Sequence, residues 1–232
     1  MNKDLSEKRV IIVGNSPSVL LEENGELIDS YDVVIRVNNC PTSGYEKFIG
    51  QKFNIWATTN TKTFNFLPKN FESLSEIWHR TSKTKERSTL PKQQKSIKQL
   101  IMYKTADFSK HFGELLDKGS EKTKWMLRET NQEPCTGLLT ILTSTLFFKD
   151  VTITGFTFYT DEDSQQNSNY SYYRKDQLDV NGKHYEDTSW EANKKLGFVD
   201  SKVGEIKKEI VKNLIQSGSI KLLNVKSEVA SI

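Results

Sequence analysis

Three short runs of apolar, largely β-branched residues restrict the fold of this chain more than any other feature. They are RVIIV at 9–13, YDVVIRVNN at 31–39 and KFNIWATT at 52–59. Continuous apolar runs of this length are typical of strands buried on both faces of a sheet. Because the segments between them are long enough for a short helix, the pattern predicts βαβ units with parallel strands.

The rest of the chain predicts the same fold class. Residues 74–80 and 98–104 are expected strands, and 134–159 should form a turn, an apolar helix and a strand. A helix over 203–218 is followed by a short strand, SIKLLNV. A chain of 232 residues is long enough to bury one core. We therefore expect a single α/β, Rossmann-like domain over 1–232, with a mostly parallel sheet flanked by helices.

Charge, apolar run length and cysteine content indicate the surroundings in which the protein works. The chain has 33 basic and 30 acidic residues, and this net charge of +3 does not indicate a nucleic-acid partner. No apolar run reaches the roughly 18 to 20 residues that span a bilayer, and the N-terminal residues do not resemble a signal peptide. The two scattered cysteines, Cys40 and Cys135, suit a reducing compartment. The expectation is a cytoplasmic protein with at most peripheral membrane contact.

The loop after the first strand has the composition of an anion site. Gly14 allows close approach of a ligand to the backbone, and Asn15 offers an amide that can donate to a phosphate oxygen. Ser16 and Pro17 suit the cap and first position of a helix over 17–28, whose free N–H groups would favour an anion. The alternative is that Gly14 only turns the chain, while Asn15 and Ser16 cap the helix.

The end of the second strand adds two polar residues to the same edge of the sheet. Arg36 and Asn38 are two residues apart and share a face of the strand, so they are expected near Asn15. A buried Arg36 needs a protein partner or an anionic ligand. The combination is typical of a nucleotide site, without the second and third glycines of a dinucleotide-binding loop.

These segments resemble a known family. Residues 10–52, VIIVGNSPSVL…LIDSYDVVIRVNNCPTSGYEKFIGQK, are similar to the large sialylmotif of the sialyltransferases, glycosyltransferase family 29. Residues 134–159 resemble the small sialylmotif. The segment 170–191 resembles the aromatic motif III, YSYY, followed by the His…Glu motif of HYEDTSWE. The resemblance implies that 60–130 lies on the acceptor side, in one domain with a GT-A-like variant of the fold.

The family's chemistry, carried to this chain, is transfer of a sugar from a CMP-sugar donor to a glycan or glycolipid hydroxyl, with inversion and without a metal or other cofactor. The donor sugar is left open between sialic acid, Kdo and related ulosonic acids. Tyr172 or Tyr173 would stabilise the departing phosphate, and His184 would be the general base, supported by Glu186 or Glu191. The implied donor-binding residues are Gly14, Asn15, Ser16, Arg36, Asn38, Thr136, Gly137 and Gly155.

The chain departs from the vertebrate pattern in its cysteines. Where those enzymes carry the two cysteines of a bridge, this sequence has Arg9 or Val10 and, in the small motif, Lys149. Cys40 and Cys135 instead lie beside the motif turns. Together with the expected lack of a membrane anchor, this fits a soluble bacterial or viral relative.

Two other readings remain open. Asp161 and Asp163 form the Asp-x-Asp pattern with which many other glycosyltransferases bind a metal and a nucleotide diphosphate. The chain could also bind a nucleotide without catalysing transfer. A Rossmann oxidoreductase is disfavoured, because Arg36 and Asn38 stand where an acidic residue would hold the ribose.

Overall fold

A parallel sheet of six strands forms the centre of the described part of the protein. The computed structural model describes residues 6–58, 74–79, 135–157, 171–173 and 201–223. The spatial order is β4-β3-β2-β1-β5-β6, and every neighbouring pair is parallel. The predicted α/β class is thereby confirmed. The strands are β1 (Arg9–Val13), β2 (Val33–Val37), β3 (Ile55–Thr58), β4 (Glu76–His79), β5 (Asp150–Thr154) and β6 (Lys221–Leu222).

Side chains of the central strands are buried on both faces of the sheet. In β1, Val10 and Ile12 join one apolar cluster, whereas Ile11 and Val13 join another. This division follows from the two-residue period of a strand. The first cluster includes residues of the helices α3 (Thr136–Phe147) and α4 (Ser201–Gln216). The second includes residues of α1 (Gly25–Asp29) and α2 (Glu46–Ile49). Helices therefore cover the sheet on both faces.

The connection between β1 and β2 differs from the single helix predicted over 17–28. A 3-10 helix covers Pro17–Leu20, with Pro17 in its first turn as predicted, and α1 begins separately at Gly25. Gly25 lies so close to α2 that a Cβ there would overlap the carbonyl oxygen of Glu46. A side chain at position 25 would force the two short helices apart.

The other predicted elements divide into confirmed ones and ones outside the described residues. The strands at 9–13, 31–39, 52–59 and 74–80 are confirmed, as are the helix and strand within 134–159 and the helix at 203–218. The closing strand is shorter than expected, at two residues. The strand at 98–104 lies outside the described residues. None of the described helices is long and apolar enough to cross a membrane.

Two glycines bring the ends of the neighbouring strands β1 and β5 into backbone contact. Gly14 N donates to Thr154 O at 2.8 Å, and Ser16 N donates to Gly155 O at 3.0 Å. A Cβ on Gly14 would overlap Gly155 O, and Gly155 itself has φ +73°. A side chain at either position would force the two loops apart.

We expect Gly14→Ala to lower the free energy of unfolding by about 2 to 4 kcal/mol, because the added methyl group meets a backbone carbonyl that cannot rotate away. Urea denaturation measures this loss. Gly44→Ala is the matched control: Gly44 has φ +84° but open space around it, so its cost should be limited to about 1 to 2 kcal/mol of backbone strain. Equal losses in the two variants would contradict the proposed overlap.

Candidate functional site

The carboxyl ends of β2, β1 and β5 meet where the order of strands changes direction. Along the chain, β1 to β4 extend the sheet one way, and β5 then pairs with the other side of β1. Open α/β sheets bind ligands in the crevice outside such a switch point. The structure brings together three predicted segments at this edge: Gly14–Asn15 after β1, Asn38 after β2 and Gly155 after β5.

The start of α3 lies at the same edge of the sheet. The ring of Phe156 lies close to Gly137, in the first turn of that helix, and also to Gly14, after β1. A Cβ built on Gly137 would lie 2.8 Å from Phe156 Cε1, and one built on Gly14 would lie 3.2 Å from Phe156 Cδ1. Thr136 and Gly137 are the first two residues of this twelve-residue helix. The first N–H groups of a helix have no partner within it and favour an anion. The predicted position of Thr136 and Gly137 at a helix N-terminus is therefore confirmed.

Asn15 holds the loops of two strands together. Its Nδ2 donates to Val37 O at 3.0 Å, and its carbonyl oxygen accepts from Tyr172 N at 2.8 Å. One N–H of the amide predicted to face a phosphate thus makes a protein contact, and its contact with a phosphate stays a prediction. Asn15 Oδ1 is buried and has no hydrogen-bond partner within the described ranges. Ser16 caps the 3-10 helix by accepting from Ser18 N, as the alternative interpretation of this loop predicted.

Asn38 has an unusual backbone at the end of β2. Its φ of 53° lies in the left-handed region, which asparagine tolerates better than most residues. Asn38 N donates to Ala57 O, and Asn38 O accepts from Trp56 Nε1, both at 2.8 Å. The Oδ1 atoms of Asn38 and Asn39 are buried without a partner in the described part of the chain. Sequence reasoning missed Asn39, although its place directly after Asn38 was visible.

Arg36 has no solvent exposure, and protein carbonyls partly satisfy it. Its Nε donates to Lys52 O at 3.0 Å and its Nη2 donates to Ile49 O at 2.7 Å. Burial lowers the pKa of the guanidinium, while Cys40, Tyr172 and Asp29 oppose that shift. These two bonds secure the turn between α2 and β3, and a contact of Arg36 with an anionic ligand stays a prediction. Nη1 has no partner among the described residues.

Tyr172, from the predicted aromatic motif, lies against the loop after β1 and the loop after β2. Its hydroxyl donates to Pro41 O at 2.8 Å, and its ring packs edge-on against Tyr45 at 5.0 Å and Tyr173 at 5.4 Å. Both Tyr172 and Tyr173 are buried. Because a tyrosine has one hydroxyl proton, Tyr172 could donate to a phosphate only by giving up its hydrogen bond to Pro41 O. A phosphate contact from either tyrosine stays a prediction.

The two cysteines are free thiols with different surroundings. Cys40 is buried beside Arg36, and Cys135 is partly exposed at the cap of α3. Burial raises the pKa of the Cys40 thiol to about 12, and the nearby Arg36 opposes the shift. Cys40 therefore remains a neutral, small apolar residue in the folded protein.

Several predicted residues lie outside the described residues. The candidate base and its two possible carboxylate partners are among them, as is the aspartate pair. Their roles stay predictions. These residues are Asp161, Asp163, His184, Glu186 and Glu191.

Comparison with known proteins agrees with this arrangement of motifs. Residues 2–203 match the family model described as glycosyltransferase family 29 (sialyltransferase). A mouse CMP-N-acetylneuraminate-beta-galactosamide-alpha-2,3-sialyltransferase 4 is 43% identical over 53 residues, which are 23% of this chain and 16% of that protein. A beta-1,6-galactosyltransferase from Arabidopsis thaliana is 48% identical over 44 residues, which are 19% of this chain and 11% of the relative. The matched segments thus span less than a fifth of either relative.

Two solved structures share the fold over nearly the whole chain. A mammalian sialyltransferase structure aligns with a TM-score of 0.56 and 19% identity, covering 96% of this chain and 71% of the other. A second, in complex with Gal-beta-1-3GalNAc-ortho-nitrophenol, gives a TM-score of 0.54 and 17% identity, covering 94% and 69%. At this level of identity the likeness concerns the fold alone.

The raised pKa of Cys40 predicts a pH dependence of stability. In the unfolded chain the thiol ionises near 9.0, whereas in the folded protein it stays protonated until about pH 12. Because the folded state keeps the proton, the free energy of unfolding should fall as pH rises from about 9 to 12, by up to about 1.4 kcal/mol per pH unit.

Urea denaturation of the wild type and of Cys40→Ala, from pH 7 to 11, isolates this contribution. The difference at pH 7 gives the cost of the substitution itself. Above pH 9 the wild-type curve should fall more steeply than that of the variant. Parallel curves up to pH 11 would show that Cys40 has an ordinary pKa in the folded protein.

Proposed function

The chain belongs to glycosyltransferase family 29, and we propose that it transfers a sialic acid or a related ulosonic acid from a CMP-sugar donor to a glycan hydroxyl. The reaction proceeds with inversion, without a metal, and with His184 as general base. The acceptor is a glycan or glycolipid, and the protein acts in the cytoplasm with at most peripheral membrane contact. The proposal rests on the family match together with the chemistry at the switch point.

The observation that carries the CMP assignment is the mixture of acceptors and donors at this edge of the sheet. Asn15, Asn38 and Asn39 contribute amide oxygens that are buried and unpartnered within the residues described above. Such oxygens require hydrogen-bond donors, which ribose hydroxyls and the amino group of cytosine supply. The start of α3, at Thr136 and Gly137, supplies N–H groups suited to a single phosphate. A nucleoside monophosphate ester carries both kinds of group.

The same division supports the proposed chemistry. When the bond to the donor sugar breaks, negative charge develops on the phosphate of CMP, and neutral donors held in place can stabilise that charge. The helix N-terminus is one such group, and Tyr173 is a second candidate. The attacking hydroxyl needs a base that titrates near neutral pH, which is the role proposed for His184.

A second donor class is favoured by one relative. The Arabidopsis thaliana protein is named for transfer of galactose rather than a sialic acid. Family membership alone therefore leaves the nucleotide to be decided, and a nucleotide-diphosphate sugar held through Asp161 and Asp163 is the alternative. CMP is preferred because the described edge offers one helix N-terminus together with several amide oxygens.

A thermal-shift comparison of CMP, UDP, GDP and NAD tests the nucleotide. CMP at a hundred times its dissociation constant should stabilise the protein by about 2.7 kcal/mol, which is a clear rise in Tm. The other three ligands, at equal concentration, should give smaller shifts. A larger shift with UDP than with CMP, or no shift with CMP, would contradict the CMP assignment.

Substitution of His184 separates catalysis from binding. His184→Ala should retain the CMP-induced shift in Tm and lose at least about a hundredfold in the rate of transfer, because a positioned base contributes about that much or more. The retained CMP binding serves as the internal control for folding. A variant that still transferred sugar at the wild-type rate would remove His184 from the mechanism.

A chelator decides between the two donor classes. We expect transfer to continue unchanged in EDTA. If activity disappeared in EDTA and returned with Mn²⁺, and if Asp161→Asn abolished that recovery, the metal-dependent alternative would replace the proposed mechanism.

A further inference from the structure

We propose that Tyr172 is a positioning residue, which fixes the loop after β1 and the loop after β2 in one relative geometry before the donor binds. The inference rests on the proposed function, because its consequence is the affinity for CMP. It assigns Tyr172 a role distinct from donation to the departing phosphate. Three independent contacts of the same residue carry it.

The first contact joins Tyr172 to the loop after β1. Its backbone N–H donates to Asn15 O at 2.8 Å, across more than 150 residues of sequence. Asn15 in turn donates through Nδ2 to Val37 O, at the end of β2. The segment 171–173 is therefore attached by its backbone to the residue that already bridges the two central strands.

The second contact joins the same residue to the loop after β2. The hydroxyl of Tyr172 donates to Pro41 O at 2.8 Å, three residues beyond Asn38. A third contact is the edge-on packing of its ring against Tyr45, at 79° between the ring planes, near the end of that loop. The side chain of Tyr172 thus contacts the loop of Asn38 at two points, the carbonyl of Pro41 and the ring of Tyr45.

Burial keeps this arrangement in place. Tyr172 is only 4% exposed, so water does not readily replace Pro41 O as the hydrogen-bond partner of its hydroxyl. Burial raises the pKa of the hydroxyl well above its ordinary value, and the group remains a donor throughout the physiological range. A buried donor already paired with a carbonyl gains little by turning to a ligand, since Pro41 O would then lose its partner.

The consequence concerns Asn15 and Asn38, whose Oδ1 atoms are buried and have no partner in the described ranges. The two residues belong to different loops, and their spacing sets whether one ligand can meet both. With Tyr172 in place this spacing is fixed in advance, so donor binding does not have to order the loops. Removal of the hydroxyl should therefore weaken binding more than chemistry.

The central variant is Tyr172→Phe, which keeps the ring and removes the bond to Pro41. With CMP-N-acetylneuraminate as donor, KM and the dissociation constant of CMP should rise about 3- to 10-fold, while kcat and its pH profile stay within about twofold of the wild type. A hydroxyl that stabilised the leaving phosphate would instead lower kcat by about a hundredfold or more with little change in CMP affinity. That result would overturn the proposal.

Tyr31→Phe is the matched control. Tyr31→Phe also removes a single hydrogen bond, from the hydroxyl to Thr152 Oγ1 at 3.2 Å, but Tyr31 lies before β2, at the end of that strand opposite to Asn38. It should lower stability by an amount similar to Tyr172→Phe and leave the KM of the donor unchanged. An equal rise in KM in both variants would mean that Tyr172→Phe acts only through a general loss of stability, which would overturn the proposal.

A double-mutant cycle tests whether Tyr172 acts through the loop of Asn38. Asn38→Gly removes the amide and tolerates the left-handed backbone, which alanine would not. If Tyr172 positions Asn38, the losses in CMP affinity should be less than additive, because the hydroxyl matters little once the amide is absent. Additive losses would indicate that Tyr172 meets CMP independently.

Hydrogen exchange of the wild-type protein without ligand completes the test and requires no variant. The amide of Tyr172 should already be protected, since it donates to Asn15 O before any donor is present. An amide that exchanged freely and became protected only with CMP would overturn the proposal while leaving the proposed function intact. A wild-type protein with a protected amide but no affinity for CMP would instead refute the proposed function, and the inference with it.

Discussion

The contact between Gly14 and Gly155 is the constraint on which the site depends. It joins the ends of β1 and β5 backbone to backbone at the point where the strand order changes direction. Two loops can approach this closely only when neither has a side chain there. Because Phe156 follows directly and packs near Gly137, the same contact fixes the start of α3 relative to β1. The helix N-terminus and the loop of Asn15 share one edge for this reason.

Polar groups at this edge of the sheet fall into two sets that differ in their hydrogen bonding. The Asn15 amide nitrogen and the Tyr172 hydroxyl have protein partners, whereas the oxygens of Asn15, Asn38 and Asn39 have none among the described residues. An unsatisfied buried oxygen costs about 1 to 3 kcal/mol. Keeping three of them close to one edge makes sense physically when a ligand with several donors satisfies them.

The sequence pattern was sufficient for the sheet but not for all contacts of the site. Runs of β-branched residues identified the central strands, because burial on both faces leaves a local signature. The partners of Arg36 left no such signature, because they are the backbone carbonyls of Ile49 and Lys52. Tyr172 was recognised from its aromatic motif, yet its bond to Pro41 depends on two segments far apart in sequence. Backbone partners of this kind have no residue-type code, so they emerge only with the tertiary structure.

A site assembled from distant segments has a particular weakness. The loops of Asn15 and Asn38 come from neighbouring strands, but α3 and Tyr172 lie more than 90 residues further along the chain. Affinity at such an edge depends on cross-links between segments as much as on direct ligand contacts, because each loop left unfixed must be ordered on binding. Apolar residues of many kinds can fill the core, whereas the close backbone contact between Gly14 and Gly155 admits few substitutions.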